Sequence, residues 1–222
     1  RIKWRDSRIP RGFCVIRKER KRDFSSFPGK DKEKGCWFAG ESHDHEEWKG
    51  TEMRQGRIKT IHQRLAQGDF SCEELTEAFL RKMKKEKQLN AYITPTGDLA
   101  RFQARFVDQK RKENRPLGPL EGVPMTLKDN ISTTGILTTC ASKMLEHFVP
   151  VYDAAVWQRL QEAHAVLLGK TNLDEFAMGS SGETSYYGAT RNPVRPSQVP
   201  GGRSSGTAAG VAGNLGVYGL GC

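Results

Sequence analysis

Near its C-terminal end the chain reads Pro200-Gly201-Gly202-Arg203-Ser204-Ser205-Gly206-Thr207-Ala208-Ala209-Gly210. A run of this kind, all but free of bulky apolar side chains, reads as a loop that feeds a helix. Glycine lets successive backbone N–H groups turn inward, because no Cβ forbids positive φ. Such N–H groups form a nest for an anion or a developing oxyanion, and the Ala-rich run after them starts a helix whose N-terminus faces the same spot. Gly201, Gly202, Ser205 and Gly206 are therefore the candidate oxyanion and substrate loop. A nucleotide-binding P-loop is a poor match, because the Gly-Lys-Ser/Thr ending is missing.

A second stretch narrows the chemistry. Leu120-Glu121-Gly122-Val123-Pro124-Met125-Thr126-Leu127-Lys128-Asp129-Asn130 is an apolar strand that ends on a lysine beside two turn-forming residues. A lysine at a strand end, together with a Ser-Ser-Gly loop, is the equipment of a Ser/Lys hydrolase. In a Ser/Lys hydrolase such a lysine has to be neutral, so burial would have to pull Lys128 several units below the free value of about 10.4. Asp129 opposes that shift if it faces Lys128, so it is expected to turn away or to bond backbone. The bland alternative is a surface lysine following a strand.

A chain of 222 residues is one large domain, or one domain with an extension. A mean hydropathy of −0.65 and the absence of a long apolar run give no candidate membrane span. The first residue, Arg1, suggests a fragment or a processed product. The net charge is +10, but from Pro116 onward only 7 basic residues face 8 acidic ones, so the excess belongs to the front. It reads as a solvated face, with nucleic-acid contact as the alternative. Cys14, Cys36, Cys72, Cys140 and Cys222 are scattered and odd in number, which fits a reducing compartment without structural disulfides. A zinc site on Cys36, His43, His45, Glu46 and Glu47 matches no closed ligand spacing, so no metal is expected.

Residues 1–52 read as a disordered or unrelated basic tail, with the charge run Arg17 to Arg22 and no sustained apolar period. From Arg57 the pattern changes. Ile58, Ile61, His62 and Leu65 lie at helical spacing and Gly68 ends the helix. Ser71 with Glu74 forms a capping box for a second helix, whose face carries Cys72, Leu75, Phe79 and Met83. Leu89 to Thr94 alternates like a short strand. Leu99, Phe102, Phe106 and Val107 mark a third helix with a wet face of Arg101, Arg105, Lys110 and Arg111. Asp153 is expected to cap a fourth helix, with Val156, Leu160 and Ala163 inward. Ala165 to Lys170 is a buried strand, Thr171 to Phe176 opens another helix, and residues 177–200 are mainly loop. Strand and helix alternate as in an α/β fold with a largely parallel sheet.

At this point the strings resemble a family. Gly122-Val123-Pro124 with Leu127-Lys128-Asp129-Asn130, and Val199-Pro200-Gly201-Gly202 with Ser204-Ser205-Gly206, look like the amidase signature family. Leu89 to Thr94, Thr138 to Leu145, Gly169 to Gly179 and Thr190-Arg191-Asn192-Pro193 are similar to the A subunits of glutamyl-tRNA(Gln) amidotransferase within it. The resemblance runs from about Arg57 to Cys222. It implies an α/β fold of N-terminal helices plus part of a mixed, largely parallel sheet covered by helices, an incomplete amidase signature fold over residues 53–222. It also implies a Ser-cisSer-Lys triad in which Lys128 draws a proton through a relay serine. Glutamine is the implied substrate, and the released ammonia passes to partners, the B and C subunits. These amidate Glu-tRNA(Gln) with ATP and magnesium, while the glutamine-hydrolysing subunit itself holds no cofactor. The implied compartment is the cytoplasm in bacteria, or the mitochondrial matrix or plastid in eukaryotes.

The chain departs from that pattern in three places. The family loop reads Gly-Gly-Ser-Ser-Gly-Gly-Ser, and an ungapped match puts Arg203 on the relay serine, Ser204 on the second serine and Thr207 on the last. Either Arg203 is an insertion and Ser204 is the relay, or the relay is lost. The ungapped fit of Gly219-Leu220-Gly221 favours loss, and a guanidinium stays charged and relays no proton. The Asp-Thr-Gly-Gly-Ser string of the acylating serine does not occur, so the chain is expected to be inactive alone and to leave strands such as Val166 to Leu168 at a bare edge. His164 replaces a small residue and is read as a helix-end cap. Two further readings remain: another amidase-signature hydrolase of small amides, and a non-catalytic paralogue that binds anions or RNA.

Overall fold

The computed structural model describes residues 57–221 and the backbone of Cys14–Ile16. Its elements, in chain order, are β1 (Cys14–Ile16), α1 (Arg57–Gln67), α2 (Cys72–Lys85), β2 (Tyr92–Pro95), α3 (Gly97–Lys112), β3 (Pro124–Lys128), α4 (Ala155–Glu162), β4 (Val166–Thr171), α5 (Ser205–Ala212) and β5 (Tyr218–Gly221). The charge run at 17–22 and the zinc candidate at 36–47 lie outside the described residues. So does the rest of the front segment apart from β1.

The strands form one sheet in the order β1-β5-β3-β4-β2. The central three, β5, β3 and β4, are parallel, and β1 and β2 flank them antiparallel. Every residue of β3 and β4 is buried, as a parallel sheet covered on both faces requires. The expected largely parallel α/β sheet is thus present, with antiparallel margins. Val166 to Leu168 do not lie at a bare edge. β4 sits between β3 and β2, and these three residues are fully buried. The exposed apolar side chains gather instead at Met144, Phe148, Val149, Val151 and Tyr152.

Local signals account for most boundaries. α1 buries Ile61 and Leu65, one turn apart, and Gly68 at φ +83 stops it by donating to the Arg64 carbonyl at 3.1 Å. The capping box at Ser71 and Glu74 is formed. Asp108 of α3 adds to it by accepting from the Cys72 and Glu73 N–H groups at 2.8 and 2.9 Å. Several N–H groups that a helix start leaves orphaned are thereby satisfied.

Three helical expectations are corrected. α3 turns Ala100, Ala104 and Val107 inward and leaves Phe102 and Phe106 exposed, because small residues let it lie close to the sheet. Its charges are not simply wet. Arg101 pairs with Glu77, Lys110 bonds the buried Glu121 at 2.8 Å, and Arg111 donates to the Leu65 and Phe70 carbonyls. Asp153 does not cap α4. The N-cap is Ala154, and the Asp153 carboxylate accepts from the Thr134 N–H at 2.6 Å instead. No helix opens over Thr171 to Phe176: β4 runs through Thr171, and a short 3-10 turn at Glu175–Ala177, broken by Phe176 at φ +50, follows it.

Candidate active site

Parallel strands deliver their carboxyl ends to one rim, the usual place for an α/β site. Here that rim holds Lys128, Thr171 and Gly221, the last residues of β3, β4 and β5. Lys128 pairs with Thr171 in register. Side chains at paired positions of neighbouring strands share a face. Thr171 hydrogen-bonds Thr207 of α5 at 2.6 Å, so Lys128 rises on the face that α5 covers. The Lys128 side chain is fully buried, which sets aside a surface lysine after a strand.

The serine loop reaches the same rim. A Cβ at Gly221 would lie 2.7 Å from the Ser204 Oγ, so Ser204 packs directly on the backbone at the end of β5. Gly206 brings the first turn of α5 onto the strand ends. A Cβ there would collide with the Asn172 nitrogen and meet the Ala91 carbonyl at 2.5 Å. Ser205 is buried and turned to the flanking loop, where its hydroxyl donates to Thr190 at 3.2 Å. Arg203 is exposed.

The expected nest of inward N–H groups is only partly available. Gly201 and Gly202 adopt positive φ, +74 and +78. The Gly202 N–H, however, donates to the Ser180 carbonyl at 2.6 Å, and the Gly206 N–H donates to the Asn172 carbonyl at 2.9 Å. The loop is tied down by its neighbours at these two points. All peptide bonds among the described residues are trans. The cis geometry implied for a relay serine is therefore not what Ser204 shows.

Asp129 turns to Thr139. Its Oδ2 accepts from the Thr139 N–H at 2.9 Å and from the Thr139 hydroxyl at 2.5 Å. Its Oδ1 lies 3.5 Å from the Lys170 Nζ, an ion pair with both side chains fully buried. The sequence marks Lys170 only as the end of a buried strand. The Lys170 ammonium also donates to the Ile131 carbonyl, the Thr133 hydroxyl and the Thr138 hydroxyl, at 2.9, 2.9 and 2.7 Å. Burial pulls the Lys170 pKa down to about 8, against the upward pull of Asp129. Burial likewise raises the Asp129 pKa, against Lys170 and Thr139. A lysine inside an apolar parallel strand demands a counter-ion. That demand, with Thr133, Thr138 and Thr139 close by in sequence, is the signal by which the pair could have been found.

Asp174 is a second buried carboxylate outside the expected set. Burial works upward on its pKa, but donation from the Gly182 and Thr184 N–H groups and the Thr184 hydroxyl outweighs that and holds it below the usual value. It organises the loop 179–184 against the strand ends. His62 contacts the Leu117 carbonyl, and the His164 ring lies 5.0 Å from Phe106, so neither reaches the rim residues. Among the described residues no cluster of three His, Cys, Asp or Glu side chains is placed to hold a metal ion. None of the described helices is long and apolar enough to cross a membrane.

Comparison with known proteins places this arrangement. The Amidase family profile matches residues 74–222, more than half of the chain. This chain belongs to the amidase family. It is 47% identical over 171 residues to the A subunit of glutamyl-tRNA(Gln) amidotransferase from Synechococcus sp. strain CC9605, covering 77% of this chain and 35% of the relative. It is 52% identical over 165 residues to the corresponding protein of Prochlorococcus marinus strain MIT 9211, covering 74% and 34%. Among solved structures, the native peptide amidase of Stenotrophomonas maltophilia superposes with a TM-score of 0.67 at 38% identity, over 72% of this chain and 34% of that one. The chain thus spans about a third of the length of these relatives. Both the amidase-signature fold and the resemblance to the amidotransferase A subunits stand on these matches.

Proposed function

We propose that this amidase-family chain serves as the glutamine-amidase part of a glutamyl-tRNA(Gln) amidotransferase. Lys128 is the base and Ser204 the hydroxyl that relays its proton. The observation that carries this reading is the fully buried Lys128 at the carboxyl end of β3, on the α5 face, beside the strand end on which Ser204 packs. A lysine amine removed from water is the form that accepts a proton near neutrality. The acylating serine is not among the described residues. The ammonia would pass to B and C subunits that amidate Glu-tRNA(Gln) with ATP and magnesium, and this chain would need no cofactor of its own. The compartment would be the bacterial cytoplasm, or the mitochondrial matrix or plastid.

One observation favours a second reading. Arg203, on the relay position of the ungapped match, is exposed and charged. That suits a non-catalytic paralogue that binds an anion or RNA. A third assignment, hydrolysis of simple amides, follows the peptide amidase likeness. The deciding experiment measures ammonia release from L-glutamine and from acetamide by a full-length protein that contains this chain, co-purified with B and C subunits. Glutamine-dependent release that Lys128→Met abolishes supports the first reading. Preference for acetamide selects the third. No release from either, with RNA binding that falls steeply between about 50 and 200 mM salt, selects the second.

A further inference from the structure

We propose that Lys170 is a positioning residue for Lys128: it holds the Asp129 carboxylate as its counter-ion on the reverse face of the sheet and so sets how much negative charge the Lys128 amine feels. The inference rests on the reading of Lys128 as a base, but its geometry is independent of any assay. Lys128 and Asp129 are consecutive in the chain, so a carboxylate adjoins the amine whatever the loop does. Lys170 pairs in register with Leu127, one residue before Lys128. Alternation along β4 places Lys170 on the face opposite Thr171, and Thr171 contacts α5. The two lysines thus leave the sheet in opposite directions, with Asp129 at the turn between them.

On the reverse face the Asp129 carboxylate is held from both sides. Thr139 donates twice to Oδ2, and the Lys170 ammonium stands 3.5 Å from Oδ1. Lys170 in turn is fixed by three close oxygen acceptors, from Ile131, Thr133 and Thr138. These hydrogen bonds orient the ammonium so that its charge stays where Asp129 is. The segment 129–139 is thereby closed into a loop whose net buried charge is that of the pair. Other titratable groups on the surrounding elements are few. β2 carries Tyr92, whose hydroxyl donates to the Leu215 carbonyl, β5 the buried Tyr218, α2 the buried Cys72, α3 Asp108, which accepts from the Cys72 N–H, the 129–142 segment Cys140, and the segment after β4 Asp174, Glu175 and Glu183. α5 has no titratable side chain besides hydroxyls. Asp174 is committed to Gly182 and Thr184. Asp129 is therefore the carboxylate nearest in sequence to Lys128, and Lys170 balances its charge as Lys110 balances that of Glu121.

The test reads the titration of Lys128 directly. The full chain is labelled with [13Cε,15Nζ]-lysine, the Lys128 signal is assigned by its loss in Lys128→Met, and its midpoint is followed with pH. In Lys170→Met the balancing charge is gone and the Lys128 midpoint rises by about one unit or more. In Asp129→Asn the carboxylate is gone while Lys170 remains, and the midpoint falls. The double variant returns it toward the parent value. A role confined to stability would lower the unfolding midpoint in these variants without moving the Lys128 titration. If Lys170→Met does not fold, Asp129→Asn decides alone, because an amide of the same shape still accepts from Thr139. An unmoved Lys128 midpoint in folded Asp129→Asn overturns the proposal. Failure of the amidase reading would appear instead as absent ammonia release by a full-length protein that contains this chain, with these shifts intact.

Discussion

The Oγ1 atoms of Thr171 and Thr207 lie 2.6 Å apart, and both side chains are fully buried. This hydrogen bond joins the last residue of β4 to the first turn of α5. Removing one partner leaves a buried hydroxyl without its mate, whereas removing both replaces the pair with apolar groups of the same shape. Thr171→Val and Thr207→Val are each expected to cost about 1–3 kcal/mol, and the double variant less than the sum. Urea unfolding of all four proteins measures the coupling. Additive losses would mean that the two hydroxyls do not depend on each other.

Gly206 and Gly201 separate close approach from backbone conformation. At Gly206 a methyl group collides with the Asn172 nitrogen and meets the Ala91 and Asn172 carbonyls at 2.5 and 2.6 Å, and backbone cannot swing aside. Gly206→Ala is expected to lose about 3 kcal/mol or more, with the first turn of α5 pushed off the strand ends. Gly201 sits at φ +74 with open space around it, so Gly201→Ala pays only for the left-handed conformation, about 1–2 kcal/mol. Thermal or urea unfolding that ranks the two in the opposite order would contradict this packing.

What the sequence disclosed was local or carried by strings. The Ser71 capping box, the Gly68 stop and the apolar strands around Met125 and Leu167 were legible, because each is decided by neighbours a few residues away. The placement of Lys128 and the serine loop followed from matched strings rather than from periodicity. What stayed hidden depended on contacts far along the chain. The ion pair of Lys170 with Asp129 spans two strands, the Asp108 cap reaches α2 from α3, and Phe102 and Phe106 look like core until α3 is seen to approach the sheet through alanines. The break at Phe176 is likewise tertiary. Its N–H donates to the Cys140 carbonyl at 2.9 Å, and that contact replaces helix continuation.

The buried Lys170 also makes stability depend on pH in a defined direction. Its pKa is about 8 in the folded chain and 10.5 as the ordinary value. Between these the unfolded chain binds more protons, so stability rises with pH across the window. The contribution is fully present above 10.5 and is lost as the pH falls through 8. Lys170→Met lacks this term. At pH 7 it is expected to be less stable by about 3 kcal/mol, because Asp129 is left buried without its counter-ion. The gap between the two proteins should widen from pH 8 toward pH 10. Parallel stability curves over that range would show that the ammonium is not desolvated.

Thiol reactivity reports on the packing beneath β3. Cys72 is fully buried, its Sγ lies 3.3 Å from the Gly122 carbonyl, and burial pushes its pKa up to about 12. The thiolate is the reacting species, so Cys72 should resist alkylation in the folded chain. Cys140 is half-buried and is expected to react first of the two. Iodoacetamide labelling followed by peptide mass spectrometry compares them. Equal labelling under native conditions would mean that α2 opens readily from the sheet.

Arg203 and Ser204 are adjacent in sequence but sit in different surroundings, and the relay assignment turns on that difference. Arg203 is exposed, and surface substitutions of this kind change stability by about 0.5 kcal/mol or less. Arg203→Ser should therefore fold like the parent. Ser204 is buried against Gly221 at the strand end next to Lys128. If Ser204 passes the proton, Ser204→Ala lowers glutamine-dependent ammonia release by about 100-fold or more, as loss of a positioned proton-transfer group does. Arg203→Ser then leaves the rate near that of the parent. If the relay was lost when arginine took its position, Arg203→Ser instead raises the rate, and Ser204→Ala has to be read as removal of another group. Rates and unfolding midpoints measured on the same preparations of a full-length protein that contains this chain separate the two outcomes, because only the first couples a large loss at Ser204 to silence at Arg203.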